Sequence, residues 1–283
     1  MGLPHPGLAW LLDLEDGRAW LERLPRLVSE CAERWALALG DPYEYAMASL
    51  AMPATRADGT PVVLKVQYPD REGTREAEAL RRWDGDGAVR LLDHDPDRWA
   101  LLLERCEPGT HLGLAGPEVA IEVLADLLPR LWIEADAPFT RLEDEAAWWA
   151  STLEADWERE GGPFPRRLVD EALSAIEELA PTQPERVLLN QDLHGDNVLA
   201  ATREPWLVID PKPLVGERAF SLAPIVWSYE LGHSREAVLT RLDRLSEQLG
   251  LDRERARRWT IAQTVAWSSD GPHIEAATWL LDA

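Results

Sequence analysis

The hydrophobic period of this chain changes along its length, and that change restricts the fold more than any other feature. Trp20, Leu21, Leu24, Leu27, Val28, Cys31, Trp35 and Leu39 recur at three- and four-residue intervals, which predicts helix over 18–39. Pro25 either splits that stretch or opens a second helix, and Asp41-Pro42 ends it. From Tyr43 to Tyr68 the pattern is that of extended chain. Tyr43, Tyr45 and Met47 alternate, a bend falls near Ala48-Ser49, and Asp58-Gly59 marks a hairpin before the β-branched run Pro61–Tyr68. Residues 71–83 return to helical spacing. Ala88–Asp93 and Arg98–Glu104 read as strands joined by Asp95-Pro96-Asp97. After Cys106-Glu107-Pro108-Gly109, a linker by composition, helical spacing dominates: 117–134, 142–160, 165–180, 218–231, 234–249, 252–268 and 273–281. Val187–Ile209 interrupts it with a loop and a small hairpin of Val198–Ala200 and Trp206–Ile209. The class expected is α+β in two lobes: residues 1–104, a small antiparallel sheet with a helical extension, and residues 105–283, mostly helical.

Composition narrows the function. The 283 residues are 46% hydrophobic, enough for a sizeable core, and the formal net charge is −22. Such a charge argues against a nucleic-acid or anionic-membrane partner and favours neutral or cationic ones. Cys31 and Cys106 are the only cysteines, too few for a disulfide framework or a four-cysteine zinc site. The first residues lack a basic segment followed by an apolar stretch, and no window approaches a membrane span. A cytoplasmic protein is expected.

Of the 29 basic residues only Lys65 and Lys212 are lysines, and Asn190 and Asn197 are the only asparagines. A lysine retained in so arginine-biased a chain is a candidate for work that needs a compact point charge rather than a planar fork. Strand alternation places Lys65 opposite Leu64 and Val66, on the face of Val63 and Gln67. Lys212 follows the densest polar segment of the chain, Asn190-Gln191-Asp192-Leu193-His194-Gly195-Asp196-Asn197, and directly trails Asp210-Pro211. Hard oxygen donors of this kind suit Mg²⁺ together with a substrate phosphate, and Asp192 could instead orient or deprotonate a hydroxyl. Phosphoryl transfer asks little more of a protein.

This arrangement resembles the kinase-like phosphotransferases of the aminoglycoside phosphotransferase branch. Their catalytic loop, His-Gly-Asp-Leu-His-x-x-Asn, is followed by Asp-Pro or Asp-x-Gly. The runs Trp206–Lys212, Leu214-Val215-Gly216, Leu222-Ala223-Pro224 and Ala57–Val66 are similar to the streptomycin 6-kinase and hydroxyurea phosphotransferase group. The resemblance extends from about Trp20 to Trp267 and implies a bilobal protein-kinase-like fold using ATP and Mg²⁺. It implies that Lys65 contacts the nucleotide phosphates and that Glu76 pairs with it, with Glu78 as the alternative. Asp192 would accept or orient the hydroxyl proton, and Asn197 and Asp210 would hold the metal. The backbone of Leu102–Cys106, including Glu104 and Cys106, would meet the adenine. Lys212 would neutralise phosphate charge. With no Gly-x-Gly-x-x-Gly before Lys65, a phosphate-capping loop would be Met47–Leu50 with Ser49. Asn190-Gln191 stands where the family has His-Gly, Ser221 where an Asp is common, and Pro213 where a Gly is usual. The catalytic loop is therefore expected to be braced differently, through Asn190 or Ser221.

The expected acceptor is a small hydroxyl compound, a streptomycin-like aminoglycoside first, with hydroxyurea or another metabolite as the alternative. Asp144, Glu145, Trp148 and Glu230 are the candidate contacts to a cationic acceptor, with Asp156, Trp149 and Trp227 nearby. Two other classes compete. A degenerate nucleotide-binding relative would explain the altered loop residues. A metal-dependent hydrolase built on His194, Asp196 and Asp210 would lack a second histidine at helical ligand spacing.

Overall fold

A computed structural model of the chain describes residues 5–44, 47–268 and 270–283. They fall into two compact units, Met1–Gly109 and Thr110–Ala283. In the N-terminal unit a 3₁₀ turn at Pro6–Asp13 leads into α1 (Glu15–Arg34). There follow β1 (Leu37–Leu39), β2 (Ser49–Arg56), β3 (Pro61–Gln67), α2 (Glu76–Trp83), β4 (Leu91–Asp95) and β5 (Ala100–Glu104). The strands form one antiparallel sheet in the order β1-β2-β3-β5-β4.

Strand β3 lies at the centre of that sheet, and its alternation sorts core from chemistry. Leu64 and Val66 are buried with Trp20, Leu24 and Cys31 of α1 and with Leu8 and Leu11 of the 3₁₀ turn. Lys65 and Gln67 stand on the opposite face, as period two requires.

Three local expectations are corrected here. The first helix ends at Arg34 rather than Leu39: Ala36 turns the chain at φ +51°, and Leu37–Leu39 pair with Ala54–Arg56 as an edge strand. Trp35 and Leu39 fit a helical period by coincidence, since they pack half-buried against Ala54, Val62 and Leu102. Pro25 neither splits nor starts a helix; it lies inside the continuous α1. The extended run expected from Tyr43 is not a strand until Ser49, although the Tyr43 amide donates to the Ala51 carbonyl at 3.0 Å. Tyr45 lies outside the described residues.

The C-terminal unit contains α3 (Pro117–Leu131), α4 (Leu142–Arg159), α5 (Arg166–Leu179), β6 (Val187–Asn190), β7 (Val198–Ala200), β8 (Trp206–Val208) and β9 (Pro213–Gly216). It ends with α6 (Ala223–Trp227), α7 (Arg235–Leu249), α8 (Arg253–Trp267) and α9 (Gly271–Leu281). Helix α8 buries residues on nearly every side, among them Trp259, Ile261, Gln263, Thr264 and Val265, so it is the central helix of the unit. The interruption at 187–209 belongs to two antiparallel ribbons rather than one hairpin, β7–β8 and, around it, β6–β9. The outer ribbon escapes sequence reading because the β7–β8 ribbon lies between its strands, so no short turn joins them. The stretch 218–231 is not one helix either. It is a 3₁₀ turn (Arg218–Leu222), α6, and a second 3₁₀ turn (Tyr229–Leu231), because Ser228 leaves helical geometry at ψ 113°. Among the described residues no helix is long and apolar enough to cross a membrane.

Leu64→Ala should lower the stability of the N-terminal unit by about 2–5 kcal/mol, read as a shift in urea midpoint. A loss under about 1 kcal/mol would mean that the contact between α1 and the sheet is not tightly packed.

Candidate active site

In the N-terminal unit the Lys65 ammonium lies 2.6 Å from Oε2 of Glu76. Gln67 Nε2 donates to the same oxygen at 2.7 Å. Lys65 and Glu76 are 5% and 1% exposed, so each charge has left bulk water and depends on the other. Glu76 opens α2, where a carboxylate also faces the positive end of the helix. Glu78, the alternative partner, instead pairs with Arg82 and Arg81 on the outer face of α2.

Ser49 is the first residue of β2, buried and opposite Gln67 in register. Just before it, the Ala48 carbonyl accepts from the Tyr68 amide at 2.9 Å, and the Met47 carbonyl accepts from Trp10 Nε1 at 2.7 Å. At the other end of the sheet Glu104 closes β5. Its amide donates to the Arg90 carbonyl, and its carboxylate accepts from the Arg90 amide at 3.0 Å. Cys106 lies just beyond, at intermediate exposure.

The C-terminal unit gathers most of the polar loop into one cluster. Lys212 Nζ lies 3.1 Å from Asp192 Oδ2 and above the ring of Trp267. Asn197 Nδ2 donates to the Asp192 carbonyl at 2.8 Å. That commitment leaves Oδ1 of Asn197, a hard oxygen, as its ligand atom. The Ile209 amide donates to the Asn197 carbonyl, extending the β7–β8 ladder by one step, so Asp210 follows immediately beyond Asn197 in that ladder. Asp210 adopts φ +49°, a conformation costly for a residue with a side chain, as backbone at functional sites often is. An amide oxygen and a carboxylate are the donor chemistry that Mg²⁺ takes, and these residues fit it.

Asn190 is the brace. Its Oδ1 accepts from the Asp192 amide and from the Lys212 amide, both at 3.0 Å, and the Gln191 amide donates to the Lys212 carbonyl. One buried side chain therefore ties the loop bearing Asp192 to the segment bearing Asp210 and Lys212. Gln263 of α8 adds a second tie, donating to the Gln191 carbonyl at 2.6 Å. Ser221 is also buried, but its hydroxyl accepts from Trp132 Nε1 at 2.9 Å. The 3₁₀ turns at Leu112–Ala115 and Gly195–Asn197 pass so closely that a Cβ on Gly195 would sit 3.0 Å from the Gly113 Cα. That is the physical need for glycine at 195.

His194 and Glu230 form the far wall. Glu230 Oε1 lies 3.1 Å from His194 Nδ1 and accepts from the Gly195 amide at 3.0 Å and from Ser228 Oγ at 2.9 Å. The other ring nitrogen of His194 is 3.9 Å from Asp192 Oδ1. Burial works against charge on His194, but the hydrogen bond to Glu230 and the carboxylates of Asp192, Glu230 and Asp196 outweigh it and raise its pKa. Burial likewise pushes Glu230 up, but the hydrogen bond and charge of His194, with Ser228, bring it down from 4.5 to about 2.

The metal-hydrolase trio changes membership. The ligand atoms of His194, Asp196 and Glu230, not Asp210, lie within 4.8 Å of one another. Glu230 already accepts three hydrogen bonds there, which describes a hydrogen-bond centre. Of the acceptor candidates only Glu230 reaches this cluster by these contacts. Helix α4 begins against Gly216, where a Cβ would lie 2.6 Å from that of Leu142. Gly216 pairs with Val187 at the end of the β6–β9 ribbon away from Asn190 and Pro213. On α4, Asp144 is exposed, Glu145 is buried and Trp148 is 50% exposed. Sequence reading missed Gln263, Ser228 and Arg241. Nothing distinguishes them in the chain from ordinary helix and loop residues.

Comparison with known proteins places this geometry in a class. The chain is similar to a thermostable mutant of aminoglycoside phosphotransferase APH(4)-Ia solved in a ternary complex with ADP and hygromycin B. The TM-score is 0.62 at 15% identity, covering 90% of this chain and 95% of that one. The fold is thus the protein-kinase-like one. The sequence profile of the aminoglycoside/hydroxyurea antibiotic resistance kinases matches residues 34–271, and the chain belongs to that family. It is 42% identical over 253 residues to a hydroxyurea phosphotransferase of Kitasatospora aureofaciens (88% of this chain, 73% of the relative). It is also 42% identical over 256 residues to a streptomycin 6-kinase of Streptomyces griseus (88% and 83%). It is a phosphotransferase acting on a hydroxyl group.

Asn190→Ala should destabilise the C-terminal unit by about 2–4 kcal/mol, because two amides lose their acceptor. Chemical denaturation followed by tryptophan fluorescence would measure it, and a neutral result would contradict the brace. The Glu230 shift predicts a pH window. A carboxyl depressed in the folded state stabilises above its unfolded value and loses that contribution as pH falls towards the folded one. The stability difference between wild type and Glu230→Gln should thus be full above pH 4.5 and shrink as pH falls towards about 2. A difference independent of pH would contradict the ionised pair.

Proposed function

We propose that this protein transfers the γ-phosphoryl group of ATP to a hydroxyl of a streptomycin-like aminoglycoside, with hydroxyurea as the competing acceptor. The observation that carries this reading is the cluster on the Asn190 brace. It holds a carboxylate (Asp192), a cation beside it (Lys212) and two oxygen ligands one ladder step apart (Asn197, Asp210) in one short stretch of backbone. Lys65, already desolvated and paired with Glu76, which Gln67 holds in turn, is assigned to the nucleotide phosphates. Ser49 borders them, and the backbone at Glu104 and Cys106 receives the adenine. Asn197 and Asp210 are assigned to Mg²⁺, which when bound would neutralise charge on the phosphates. Asp192 orients the acceptor hydroxyl and takes its proton, and Lys212 offsets negative charge beside it. With ATP as donor, the reaction belongs in the cytoplasm.

The altered loop residues do not argue for a degenerate protein. Asn190 is buried and hydrogen-bonded to two amides, and the Gln191 backbone is tied at both its amide and its carbonyl, so the loop keeps its supports with other side chains. The curated relatives, streptomycin 6-kinase and hydroxyurea phosphotransferase, support the two acceptors named. The net charge of −22 supports a cationic acceptor over a neutral one. On α4, Asp144 and Trp148 offer surface to such a ligand, whereas Glu145 is buried and Glu230 is engaged by the loop.

Purified protein with Mg-ATP should release ADP when streptomycin is added, and more slowly or not at all with hydroxyurea. Asp192→Ala should lower kcat by at least about 100-fold. Lys65→Ala should raise the KM for ATP. Faster ADP release with hydroxyurea would reverse the acceptor assignment, and an unchanged rate in Asp192→Ala would remove the mechanism.

A further inference from the structure

Arg241 of α7 is 1% exposed, and it meets backbone carbonyls. Its Nη1 donates to the carbonyls of Leu231 and Gly232, both at 2.8 Å, and its Nη2 to those of Val226 at 2.8 Å and Ser228 at 2.9 Å. One acceptor, Val226, is in α6, and the other three belong to the irregular stretch that follows, where Ser228 breaks the helix and Gly232 adopts φ +99°. A well-packed apolar residue generally serves a core at least as well as a buried charge. The four carbonyls explain the guanidinium, because without it they would be buried with no donor from this side chain. What the clamped stretch presents is Glu230.

A carboxylate can only accept hydrogen bonds, so at 3.1 Å the His194 nitrogen facing it, Nδ1, carries the proton. The Asp196 amide, 3.4 Å from that nitrogen, is the weaker claimant. The ring is thereby fixed with Nε2 towards Asp192. The adjoining Gly195 amide is fixed by the same oxygen. We propose that Arg241 and Glu230 are positioning residues, which keep Nδ1 of His194 protonated and set the orientation of its ring, and so what faces Asp192. This differs from the expectation that Glu230 contacts a cationic acceptor, and it rests on the role given to Asp192 above.

A double-mutant cycle with Glu230→Gln and His194→Gln tests it. Each single change should lower kcat by about tenfold or more, with KM for ATP and acceptor within about threefold of wild type. The double variant should fall no further than the weaker single, since the two act as one unit. Independent, multiplicative effects would overturn the proposal. So would a raised acceptor KM at unchanged kcat in Glu230→Gln, the signature of direct acceptor contact. A second readout needs no turnover: ¹⁵N spectra of the histidine side chains should show His194 protonated at Nδ1 in wild type and altered in Glu230→Gln. The conservative Arg241→Lys, which cannot span four carbonyls, should alter the same signal in a variant that stays folded by circular dichroism. A ring protonated at Nε2 alone, or a wild-type signal in both variants, would overturn the proposal. Failure of every acceptor to release ADP would instead count against the function, and the spectra would still decide this point.

Discussion

A charge taken out of water must be met by groups fixed in place, and that requirement shapes both units of this chain. In the N-terminal unit it acts at Lys65 and Glu76. Removing either partner would leave the other charge buried, a loss of about 3–5 kcal/mol in comparable pairs. The sheet satisfies the requirement by alternation: Leu64 and Val66 occupy the core with α1, and Lys65 and Gln67 are delivered together to the first residue of α2. A pair so held gains little stability from the exchange of water for protein. What it gains is an ammonium whose position is set by the fold.

In the C-terminal unit the same demand falls on backbone as well as side chains. Asn190 supplies one acceptor to two amides that β6 and β9 leave unpaired at their common end. Arg241 supplies four donors to carbonyls that no regular helix uses. Between these two fixtures lie the loop bearing Asp192 and the stretch bearing Glu230, neither of which has secondary structure long enough to hold itself. Their geometry comes from side chains anchored on α7, α8 and β6. The substitutions that set this loop apart from the family pattern therefore change the means of support rather than the groups supported.

Much of the fold can be read from the residues because it rests on period. Helix boundaries from 117 onward agree with spacing to within a few positions, except where the chain uses 3₁₀ turns. The errors have local causes. Leu37–Leu39 join a sheet edge although their spacing continues a helical pattern, and β6 pairs with β9 across the intervening β7–β8 ribbon, with no short turn to announce it. At the site, Lys65, Lys212 and Asn197 stand out because this arginine-biased chain keeps so few lysines and asparagines, and Asp192 and Asp210 because they lie in or beside its densest polar segment. Arg241 is invisible for the converse reason. It is one arginine among many on an amphipathic helix, and three of its four acceptors come from a break that sequence spacing reads largely as helix.

The central proposal is that Lys65 binds nucleotide phosphates and that Asn197 binds a divalent metal. The composition makes it unusually accessible, since lysine labelling yields two residues and asparagine labelling two more. Binding Mn²⁺ and ADP to the whole protein labelled at these two residue types should broaden the side-chain signals of both Lys65 and Asn197. Broadening at Asn197 with Lys65 left sharp and unshifted would contradict the account.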